Sequence, residues 1–371
     1  MKNLFQLKAI TMVALVAFLA ASGVSAKGQE KAAASDGRIM YNGRVLKTGS
    51  DVSFDWSGVN LKVRFTGTYL AMRASDSKAN YFNVWIDSPF SEKADRIIRT
   101  SGKDTTIILA DNLKRGEHEI IIQKRTEGEQ GTVTLHEFTA GGKILQAMPE
   151  NSRYIEFVGD SYTCGFGTES SDPEDPFTPE TENCNLAYAA IISRYFDADY
   201  SLVCHSGQGV ARNYDDFRPG YTMVDRYSQV FDESTVHIWD KKAIERVPDL
   251  VVVYLGANDF STEKQPSLNF FTSRYVELLG KIKDNYGDEI PVLCLAAKID
   301  PAIFSYVKEA CARSGMKNIS YATMQETAFN WDSDLGARFH PNYTGQKKMA
   351  SIIIPYVSTA TGWEMKAEAY R

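Results

Sequence analysis

Hydrophobic and polar residues alternate in short runs between residues 38 and 148, and turn residues separate the runs. The clearest runs are Val52–Trp56, Leu61–Phe65, Tyr81–Ile86, Thr105–Leu109, His118–Ile122 and Thr132–His136. A period of two places successive side chains on opposite faces of a strand, so that one face is buried. Many short strands without a helical period predict an antiparallel β-sandwich over residues 38–148.

The pattern changes after Ser152. Apolar runs at 154–158, 200–204, 249–254 and 291–295 predict strands, and they alternate with predicted helices at 186–195, 267–286, 302–314 and 343–359. The run Leu250–Leu255 is continuously apolar, as expected of a parallel strand that is buried on both faces. We therefore predict an α/β fold class, with a three-layer α/β/α domain and a parallel sheet over residues 152–371.

The first 26 residues have the pattern of a secretory signal peptide. Lys2 and Lys8 accompany an almost wholly apolar run from Ala9 to Ala21, and small residues lead to a cleavage site at Ala26. The apolar run is short for a membrane-spanning helix, and no later segment is long and apolar enough to be one. We expect cleavage after Ala26, a mobile leader over residues 27–37, no membrane insertion, and a secreted or periplasmic protein.

Length and charge narrow the classes of function. A chain of 371 residues is long enough for two domains, in agreement with the change of pattern. The net charge of −6 and the lack of a basic stretch argue against a nucleic-acid partner, because nothing is available to neutralise phosphates.

The five cysteines lie at irregular spacing, at positions 164, 184, 204, 294 and 311. This is neither a disulfide framework nor a paired set of zinc ligands. An oxidising compartment would permit one bridge, and Cys164 with Cys184 is the first pair to test. Buried free thiols are the alternative.

A candidate nucleophile follows the first predicted strand of the α/β domain. The turn Gly159-Asp160-Ser161 comes directly after the apolar run Ile155–Val158. Such a turn presents a hydroxyl at the carboxyl edge of the sheet, where open α/β sheets bind their ligands. A Gly-Asp-Ser tripeptide alone is more often only a turn. The hypothesis that Ser161 attacks a substrate therefore depends on a base and an oxyanion hole elsewhere in the chain.

The chain offers five histidines as possible bases. His118 and His136 lie in strands of the sandwich, where a surface or structural role is expected, and His237 lies in an irregular stretch. His205 ends a predicted strand and could lie near the site. His340 directly precedes the last helix, and Pro341 restricts the backbone beside it. This position lets a loop deliver the imidazole of His340 to the sheet edge, although a His-Pro pair before a helix, taken alone, is more often local structure than catalysis.

Two loops after strands are suited to an oxyanion hole, which needs donors directed at the charge that develops on an acyl oxygen. Gly209 offers a backbone N–H that no side chain obstructs, and Gly256–Asp259 brings the amide of Asn258 to the same sheet edge. A helix cap or an Asx-turn is the alternative role for Asn258.

Four blocks follow one another along the chain, each at the end of a strand: Gly-Asp-Ser, Gly, Gly-x-Asn-Asp and His-Pro. Their order resembles that of the SGNH (GDSL-type) hydrolases. The resemblance covers the whole C-terminal domain. It implies that Ser161 is the nucleophile, that His340 is the general base, and that the N–H groups of Ser161 and Gly209 form the oxyanion hole with the Asn258 side chain.

The N-terminal domain narrows the resemblance further. Its signatures, ahead of the Gly-Asp-Ser block, are Tyr41–Arg44, Phe54–Gly58, Phe65–Thr68 and Lys124–Glu127. A jelly-roll domain with these signatures joined to an SGNH domain is similar to carbohydrate esterase family 2. That resemblance implies a carboxylic ester hydrolase of the acetyl xylan esterase type, which removes O-acetyl groups from hemicellulose sugars and needs no metal or organic cofactor.

One position departs from the SGNH pattern. Ala337 stands three residues before His340, where these enzymes usually carry the aspartate that orients the imidazole. Asp332 and Asp334 are close in sequence but at the wrong spacing. Members of carbohydrate esterase family 2 use a Ser-His dyad in which a backbone carbonyl holds the imidazole. The resemblance therefore implies a dyad, with Asp334 as the alternative.

Residues for sugar binding are suggested at two positions. The family has an aromatic residue in the region of Tyr214, and Trp331 lies shortly before the His340 loop; for both, a packing role is the alternative. The segment Gly165–Asn183 carries six acidic residues and no basic one. It is expected to lie at the rim of the cleft or on the solvated surface, with weak calcium binding as a further alternative.

Two rival functions follow from the same residues. An SGNH esterase or lipase of other acyl or alcohol specificity would share the nucleophile and the base. A carbohydrate-binding protein that has lost catalysis would retain the jelly roll, and Ala337 is the residue that keeps this rival open.

Overall fold

The computed structural model describes residues 28–216, 218–297, 300–324 and 329–366. The predicted signal peptide and its cleavage site lie outside the described residues. Among the residues described, no helix has the length and apolar character needed to cross a membrane.

The N-terminal part of the chain is all β. Its strands are β1 (Glu30–Ala33), β2 (Met40–Asn42), β3 (Leu46–Thr48), β4 (Asp51–Phe54), β5 (Asn60–Gly67), β6 (Leu70–Asp76), β7 (Tyr81–Ile86), β8 (Arg96–Arg99), β9 (Thr105–Ala110), β10 (Gly116–Lys124), β11 (Val133–Ala140) and β12 (Ile144–Leu145). They form two antiparallel sheets, with the orders β3-β4-β11-β6-β9 and β12-β5-β10-β7-β8. Alternate residues such as Val52 and Phe54 are fully buried, as the period of two predicts.

The prediction of a mobile leader over residues 27–37 is wrong for Glu30–Ala33, which form the strand β1. Glu30 to Ala33 pair with Ala140 to Glu137 of β11, beyond the part of β11 that β4 covers. This strand fills an otherwise open edge with backbone hydrogen bonds, and it buries Ala32. Its polar, helix-favouring composition gives no sign of that pairing, because the pairing depends on the backbone of a distant strand.

The C-terminal part contains the strands β13 (Arg153–Gly159), β14 (Ala198–Cys204), β15 (Gln229–Phe231), β16 (Ser234–Ile238), β17 (Leu250–Tyr254), β18 (Val292–Ala296), β19 (Ile319–Thr323), β20 (Leu335–Gly336) and β21 (His340–Pro341). The helices are α1 (Ser161–Cys164), α2 (Tyr188–Tyr195), α3 (Met223–Arg226), α4 (Leu268–Tyr286), α5 (Pro301–Arg313) and α6 (Tyr343–Thr361). Short 3-10 helices lie at Gly128–Gln130, Cys184–Leu186, Asn258–Phe260 and Ala337–Phe339.

The main sheet of this part is parallel, with the order β14-β13-β17-β18-β19. The predicted α/β class is confirmed. The four predicted strands and four predicted helices are all present, and each end lies within two residues of its predicted position. Strand β19 was not predicted, because it is an edge strand in which four of the five residues are exposed or only partly buried.

Helix α6 fixes the position of the last candidate residue. Asn342 caps the helix by accepting hydrogen bonds from the N–H groups of Thr344 and Gly345. Pro341 immediately precedes this cap and pairs with Leu335, so that β21 lies beside β20. His340 is thereby held at the end of a short hairpin in front of a 19-residue helix.

Buried arginines of the sandwich contact the α/β part directly. Arg44 is 2% exposed and donates to the carbonyl oxygens of Tyr227 and Gln229. Arg125 is 1% exposed and reaches the segment that follows α1. Because these guanidinium groups donate to acceptors across the boundary, the two parts share one buried interface.

The bridge suggested between Cys164 and Cys184 is not formed. All five cysteines are free and buried. The Cys164 thiol lies within hydrogen-bonding distance of Glu127 Oε2 (3.7 Å), whereas the Cys184 thiol donates to the carbonyl of Lys124 (3.5 Å). Burial raises the pKa of both thiols, and the alternative of buried free thiols describes them.

Candidate active site

The candidate residues meet at the carboxyl edge of the parallel sheet. Strand β13 lies between β14 and β17, so the turns that follow these three strands are neighbours. Ser161 opens α1 after β13, Gly209 follows β14, and Asn258 follows β17. His340 arrives from the opposite end of the chain through the hairpin before α6.

Ser161 and His340 are in direct contact. The Oγ of Ser161 lies 2.9 Å from Nε2 of His340, although 179 residues separate them in sequence. On the other side of the ring, Nδ1 lies 2.9 Å from the carbonyl oxygen of Arg338. Because a carbonyl only accepts hydrogen bonds, Nδ1 carries the proton and Nε2 is free to accept the proton of the serine hydroxyl.

The turn that carries Ser161 is determined by its neighbours. A Cβ at Gly159 would lie 2.0 Å from Oγ1 of Thr163, so only glycine fits there. Asp160 caps α1, and its side chain accepts from the N–H of Tyr162. The N–H of Ser161 lies in the first turn of the helix, where it has no intrahelical acceptor and can face a ligand.

Asn258 connects the nucleophile turn to the Gly209 loop. Its Nδ2 donates to Asp160 Oδ2 (3.2 Å) and to the carbonyl of Gln208 (2.9 Å), so it lies between the neighbours of Ser161 and of Gly209. The N–H of Gly209 donates to Asn213 Oδ1 over 3.3 Å, which is a long hydrogen bond. Ser161, Gly209 and Asn258 thus meet at one edge of the sheet, but both N–H bonds of the Asn258 amide already have protein acceptors, so an oxyanion would have to displace one of them.

Asp259 is a further residue of the site, and the sequence pattern alone assigns it no role. Its carboxylate accepts hydrogen bonds from the N–H groups of Val210, Ala211 and Arg212, over 2.6 to 3.0 Å. It therefore holds the turn that follows Gly209. A Cβ at Gly209 would lie 2.4 Å from this carboxylate, which explains the need for glycine. The sequence feature that could have pointed to Asp259 is a second polar residue, beside Asn258, directly after a central strand.

Two carboxylic acids at this edge have perturbed pKa values. Burial raises the pKa of Asp160 to about 7, against the hydrogen bond from the N–H of Tyr162. Burial likewise raises the pKa of Asp259 to about 6, although its three backbone donors favour the charged form.

Two aromatic rings pack against the partly buried imidazole of His340. The ring of Phe166 lies 4.2 Å from it, and that of Tyr162 lies 5.5 Å from it in an edge-on arrangement. Removal from water lowers the pKa of His340 to about 4, because the charged form loses more hydration than the hydrogen bond to Arg338 O restores. At neutral pH the ring is therefore neutral, as a general base must be.

The aspartates considered as partners of His340 are directed elsewhere. Asp334 is buried and binds the Lys348 ammonium (2.5 Å) and the N–H of Asn330 (2.5 Å). Asp332 is exposed. Neither carboxylate bonds to His340, whose Nδ1 is occupied by a backbone carbonyl, and this arrangement agrees with the dyad interpretation.

The other histidines lie in hydrogen-bonded pairs or on the surface. His118 lies 2.6 Å from Asp87, and His136 lies 2.9 Å from Ser75 Oγ. His205 is buried and bound to Asp232 Oδ2 (2.7 Å), and His237 is exposed on β16. None of these four is bonded to Ser161.

The two candidate sugar-binding aromatics are largely exposed. Tyr214 is 66% exposed and Trp331 is 67% exposed, so neither is packed in the core. The backbone N–H of Tyr214 donates to the carbonyl of Gly207 (2.7 Å), which ties its turn to the Gly209 loop.

The acidic segment Gly165–Asn183 is partly neutralised by the sandwich. Glu169 pairs with Arg125, and Glu180 accepts from the hydroxyl of Tyr81. Of its carboxylates, only Glu182 lies in a group of three possible metal ligands among the described residues, together with Glu127 and Cys164. A calcium site made from the segment's own carboxylates is not found in the part of the chain that the structure describes.

Comparison with known proteins identifies two family models along the chain. Residues 41–149 match the N-terminal domain of carbohydrate esterase 2, and residues 155–353 match the GDSL-like lipase/acylhydrolase family.

The cellulase/esterase CelE of Acetivibrio thermocellus is 32% identical over 342 residues, which are 88% of this chain and 40% of the relative. This chain therefore spans less than half of CelE. An acetylxylan esterase / glucomannan deacetylase of Cellvibrio japonicus is 27% identical over 89% of this chain and 91% of the relative.

Solved structures show the same architecture. A family two carbohydrate esterase from Clostridium thermocellum, in complex with cellohexaose, has a TM-score of 0.78 and 29% identity, covering 88% of this chain and all of that one. A family two carbohydrate esterase from Cellvibrio japonicus has a TM-score of 0.81 and 24% identity, covering 91% of this chain and 99% of that one. The two-part fold described above is therefore shared.

Proposed function

Because the chain belongs to carbohydrate esterase family 2 within the GDSL-like acylhydrolases, we propose that it is a secreted serine esterase that removes O-acetyl groups from hemicellulose-type carbohydrate. The observation that carries the proposal is the hydrogen-bonded chain from Ser161 Oγ through His340 to the carbonyl of Arg338. It combines a hydroxyl, a neutral base and a fixed tautomer, as nucleophilic catalysis requires.

The proposed reaction has two halves. The Oγ of Ser161 attacks the acetyl carbonyl carbon while Nε2 of His340 takes the hydroxyl proton, and the new bond gives a tetrahedral oxyanion. The N–H groups of Ser161 and Gly209 and the amide of Asn258 stabilise that charge. The sugar oxygen then leaves with the proton from His340. In the second half, water loses a proton to His340 and attacks the acetyl group on Ser161; the bond from the acetyl carbon to Oγ breaks, Oγ takes the proton back from His340, and acetate is released.

The substrate is proposed from the chemistry of the site and from the relatives. Two relatives are named acetylxylan esterase / glucomannan deacetylase, and one related structure holds cellohexaose. In this chain Tyr214 and Trp331 present exposed rings on which a pyranose could stack. We therefore propose acetylated polysaccharides or oligosaccharides as substrates, bound along the edge of the sheet.

The test compares acetate release from 4-nitrophenyl acetate and from acetylated xylan by the wild type and by Ser161→Ala and His340→Ala. Ser193→Ala is the matched control, because Ser193 is also buried in the α/β part but bonds only within its own helix. Loss of turnover in the first two variants alone supports the proposal. Turnover that does not depend on Ser161 refutes it, and glycan binding without any turnover favours the carbohydrate-binding rival.

Specificity separates the proposal from the other rival. A panel of xylo-, manno- and gluco-configured sugars acetylated at defined hydroxyls, run beside 4-nitrophenyl esters of increasing acyl length, reports both the sugar and the acyl preference. Preference for acetyl esters of sugars is expected. Faster turnover of long acyl chains would favour an esterase or lipase of another specificity.

Secretion is a separate part of the proposal and rests on the pattern of residues 1–26. Expression of the full chain in a bacterial host, followed by mass analysis of the exported protein, tests it. The expected exported product begins at Lys27. Retention of the apolar segment inside the cell contradicts this part without affecting the esterase proposal.

A further inference from the structure

The carbonyl that orients His340 belongs to a backbone in an unfavourable conformation. Arg338 and Phe339 have φ values of 54° and 59°, in the left-handed region that non-glycine residues seldom adopt. Each such residue costs about 1–2 kcal/mol. The conformation directs the Arg338 carbonyl back to Nδ1 of His340, two residues later, so something outside the turn has to hold it.

The segment that holds this turn is Gly165–Asn183, named here the support loop. The N–H of Arg338 donates to the carbonyl of Asp175 (3.1 Å), and that of Phe339 donates to the carbonyl of Pro173 (3.3 Å). Both residues with left-handed backbone thus have their N–H groups fixed by the same loop. Phe166 of this loop also packs its ring against the imidazole of His340.

The contact between the support loop and the His340 hairpin is close. A Cβ at Gly336 would lie 2.6 Å from the carbonyl oxygens of Gly167 and Ser170. The N–H of Tyr343, at the start of α6, donates to the carbonyl of Thr168 (3.0 Å). A displacement of the loop would therefore displace the hairpin that carries the imidazole.

Hydrogen bonds within the support loop join its two halves, for example from the N–H of Glu169 to the carbonyl of Thr181 (3.1 Å) and from the N–H of Asn183 to the carbonyl of Gly165 (3.1 Å). No helix or strand lies between Cys164 and Cys184, a stretch that the structure describes in full. The loop is also bonded to the sandwich, and Arg125 makes three of these bonds. This buried guanidinium donates to the carbonyls of Glu182 (2.9 Å) and Glu180 (2.9 Å) and pairs with the carboxylate of Glu169.

We propose that Arg125, a residue of the β-sandwich, is a positioning residue for His340 and acts through the support loop. The proposal rests on the proposed esterase function. It assigns the sandwich a part in catalysis. In other serine hydrolases a triad aspartate orients the imidazole. Here the orientation depends on the turn at Arg338 and Phe339, which the sandwich helps to hold through the support loop.

The test replaces Arg125 by Met, which keeps much of the buried volume but removes all five donors. Arg44→Met is the matched control, because Arg44 is an equally buried arginine of the same interface that contacts Tyr227 and Gln229 and not the support loop. Both variants lose a buried charged group, so both are expected to lose stability. Arg125→Lys, which retains a charge but not the planar fork, is the conservative variant.

Kinetics and nuclear magnetic resonance together decide the proposal. Arg125→Met is expected to lower kcat for 4-nitrophenyl acetate by about 10- to 100-fold with KM changed less than about twofold, as for a misplaced catalytic group. Arg44→Met is expected to keep kcat within about threefold, and Arg125→Lys to fall between the two. In protein labelled with ¹⁵N-histidine and assigned with His340→Gln, the His340 signals should change from one fixed tautomer to an averaged one in Arg125→Met alone.

The outcomes separate the two proposals. A fixed His340 tautomer and an unchanged kcat in folded Arg125→Met overturn the positioning role, even if Ser161→Ala is inactive. An equal loss of kcat in Arg44→Met also overturns it, because the effect would then be one of stability. If Ser161→Ala retains full turnover, the esterase proposal fails, while the tautomer measurement still reports whether Arg125 orients the ring.

Discussion

The carbonyl oxygen of Arg338 lies 2.9 Å from Nδ1 of His340 and makes the hydrogen bond that an aspartate makes in a Ser-His-Asp triad. A carbonyl fixes the tautomer and the direction of the ring as an aspartate does. It carries only a partial charge, so it stabilises the imidazolium less. Orientation of the imidazole therefore contributes more here than stabilisation of its charge. That orientation depends on the turn at Arg338 and Phe339.

Replacing Asp334 should change stability far more than catalysis. Burial opposes ionisation, but hydrogen bonds from Lys348, Asn330 and Ser333 hold the pKa of Asp334 below its usual value. Because Asp334→Asn loses charge-assisted bonds, we expect it to lower the free energy of unfolding by about 1.5–3 kcal/mol. Its kcat should stay within about fivefold of the wild type, measured at a temperature where the variant is folded. Asp332→Ala, at an exposed position, is the control and should change neither quantity.

A loss of activity in folded Asp334→Asn or Asp332→Ala comparable with that of Ser161→Ala would contradict the dyad. Urea unfolding provides the stability values, and acetate release provides kcat. Both variants keep the spacing between Asp334 and His340, so a loss would be attributable to the carboxylate.

Glycine at position 338 should relieve strain without removing the carbonyl. The left-handed φ of 54° at Arg338 is unfavourable for a residue with a Cβ, and glycine avoids that cost at some expense in unfolded-state entropy. We expect Arg338→Gly to raise the free energy of unfolding by about 0.5–1 kcal/mol and to keep kcat within about threefold. Arg338→Ala, which retains the Cβ, is the control for the loss of the guanidinium. Destabilisation by glycine, relative to alanine, would show that the turn is not strained.

The sequence predicted most of the elements and the two residues of the proposed dyad for reasons that are local. Hydrophobic periodicity identifies the strands and helices, and a Gly-Asp-Ser turn after a strand and a His-Pro pair before a helix locate Ser161 and His340. The partner of Nδ1 could not be found by residue type, because it is a backbone carbonyl and Arg338 is not a glycine or asparagine that signals a left-handed turn. The role of Asp259 depends on backbone N–H groups that are 47 to 49 residues distant.

The pH profile of kcat/KM should show that His340 is active well below its ordinary pKa. The desolvated imidazole has a pKa of about 4 and must be neutral to accept a proton, so activity is present above that pKa and is lost as the pH falls through it. Asp160 and Asp259 titrate at higher pH and can add a weaker step to the profile. Phe166→Ala exposes the ring to water and should move the lowest limb up by about one unit or more. A wild-type limb at 6.5 that Phe166→Ala does not move would contradict this account.

The stability of the protein should fall at alkaline pH because of His205. Burial favours the neutral ring, but hydrogen bonds to Asp232 and Glu129 outweigh it and raise the pKa of His205 to about 10. A raised folded-state pKa contributes stability that is complete below the unfolded value of about 6.5 and is lost as the pH rises through about 10. The difference in unfolding free energy between wild type and His205→Gln should therefore shrink across that window, by at most about 1.4 kcal/mol per pH unit. A difference that does not depend on pH would show that His205 is neutral in the folded protein.

Asp259 should affect catalysis through the Gly209 turn. Its carboxylate accepts from three consecutive N–H groups, and an amide has only one oxygen with which to replace two. We expect Asp259→Asn to lower kcat by about 10-fold or more, and Asn258→Ala, which removes a proposed oxyanion donor, to lower it by about 10²–10³-fold. Because both act on the same oxyanion hole, the double variant should lose less than the product of the two single losses. Strictly multiplicative losses in acetate release would instead indicate that Asp259 acts only on the stability of the fold, and thermal unfolding of the three variants checks that reading.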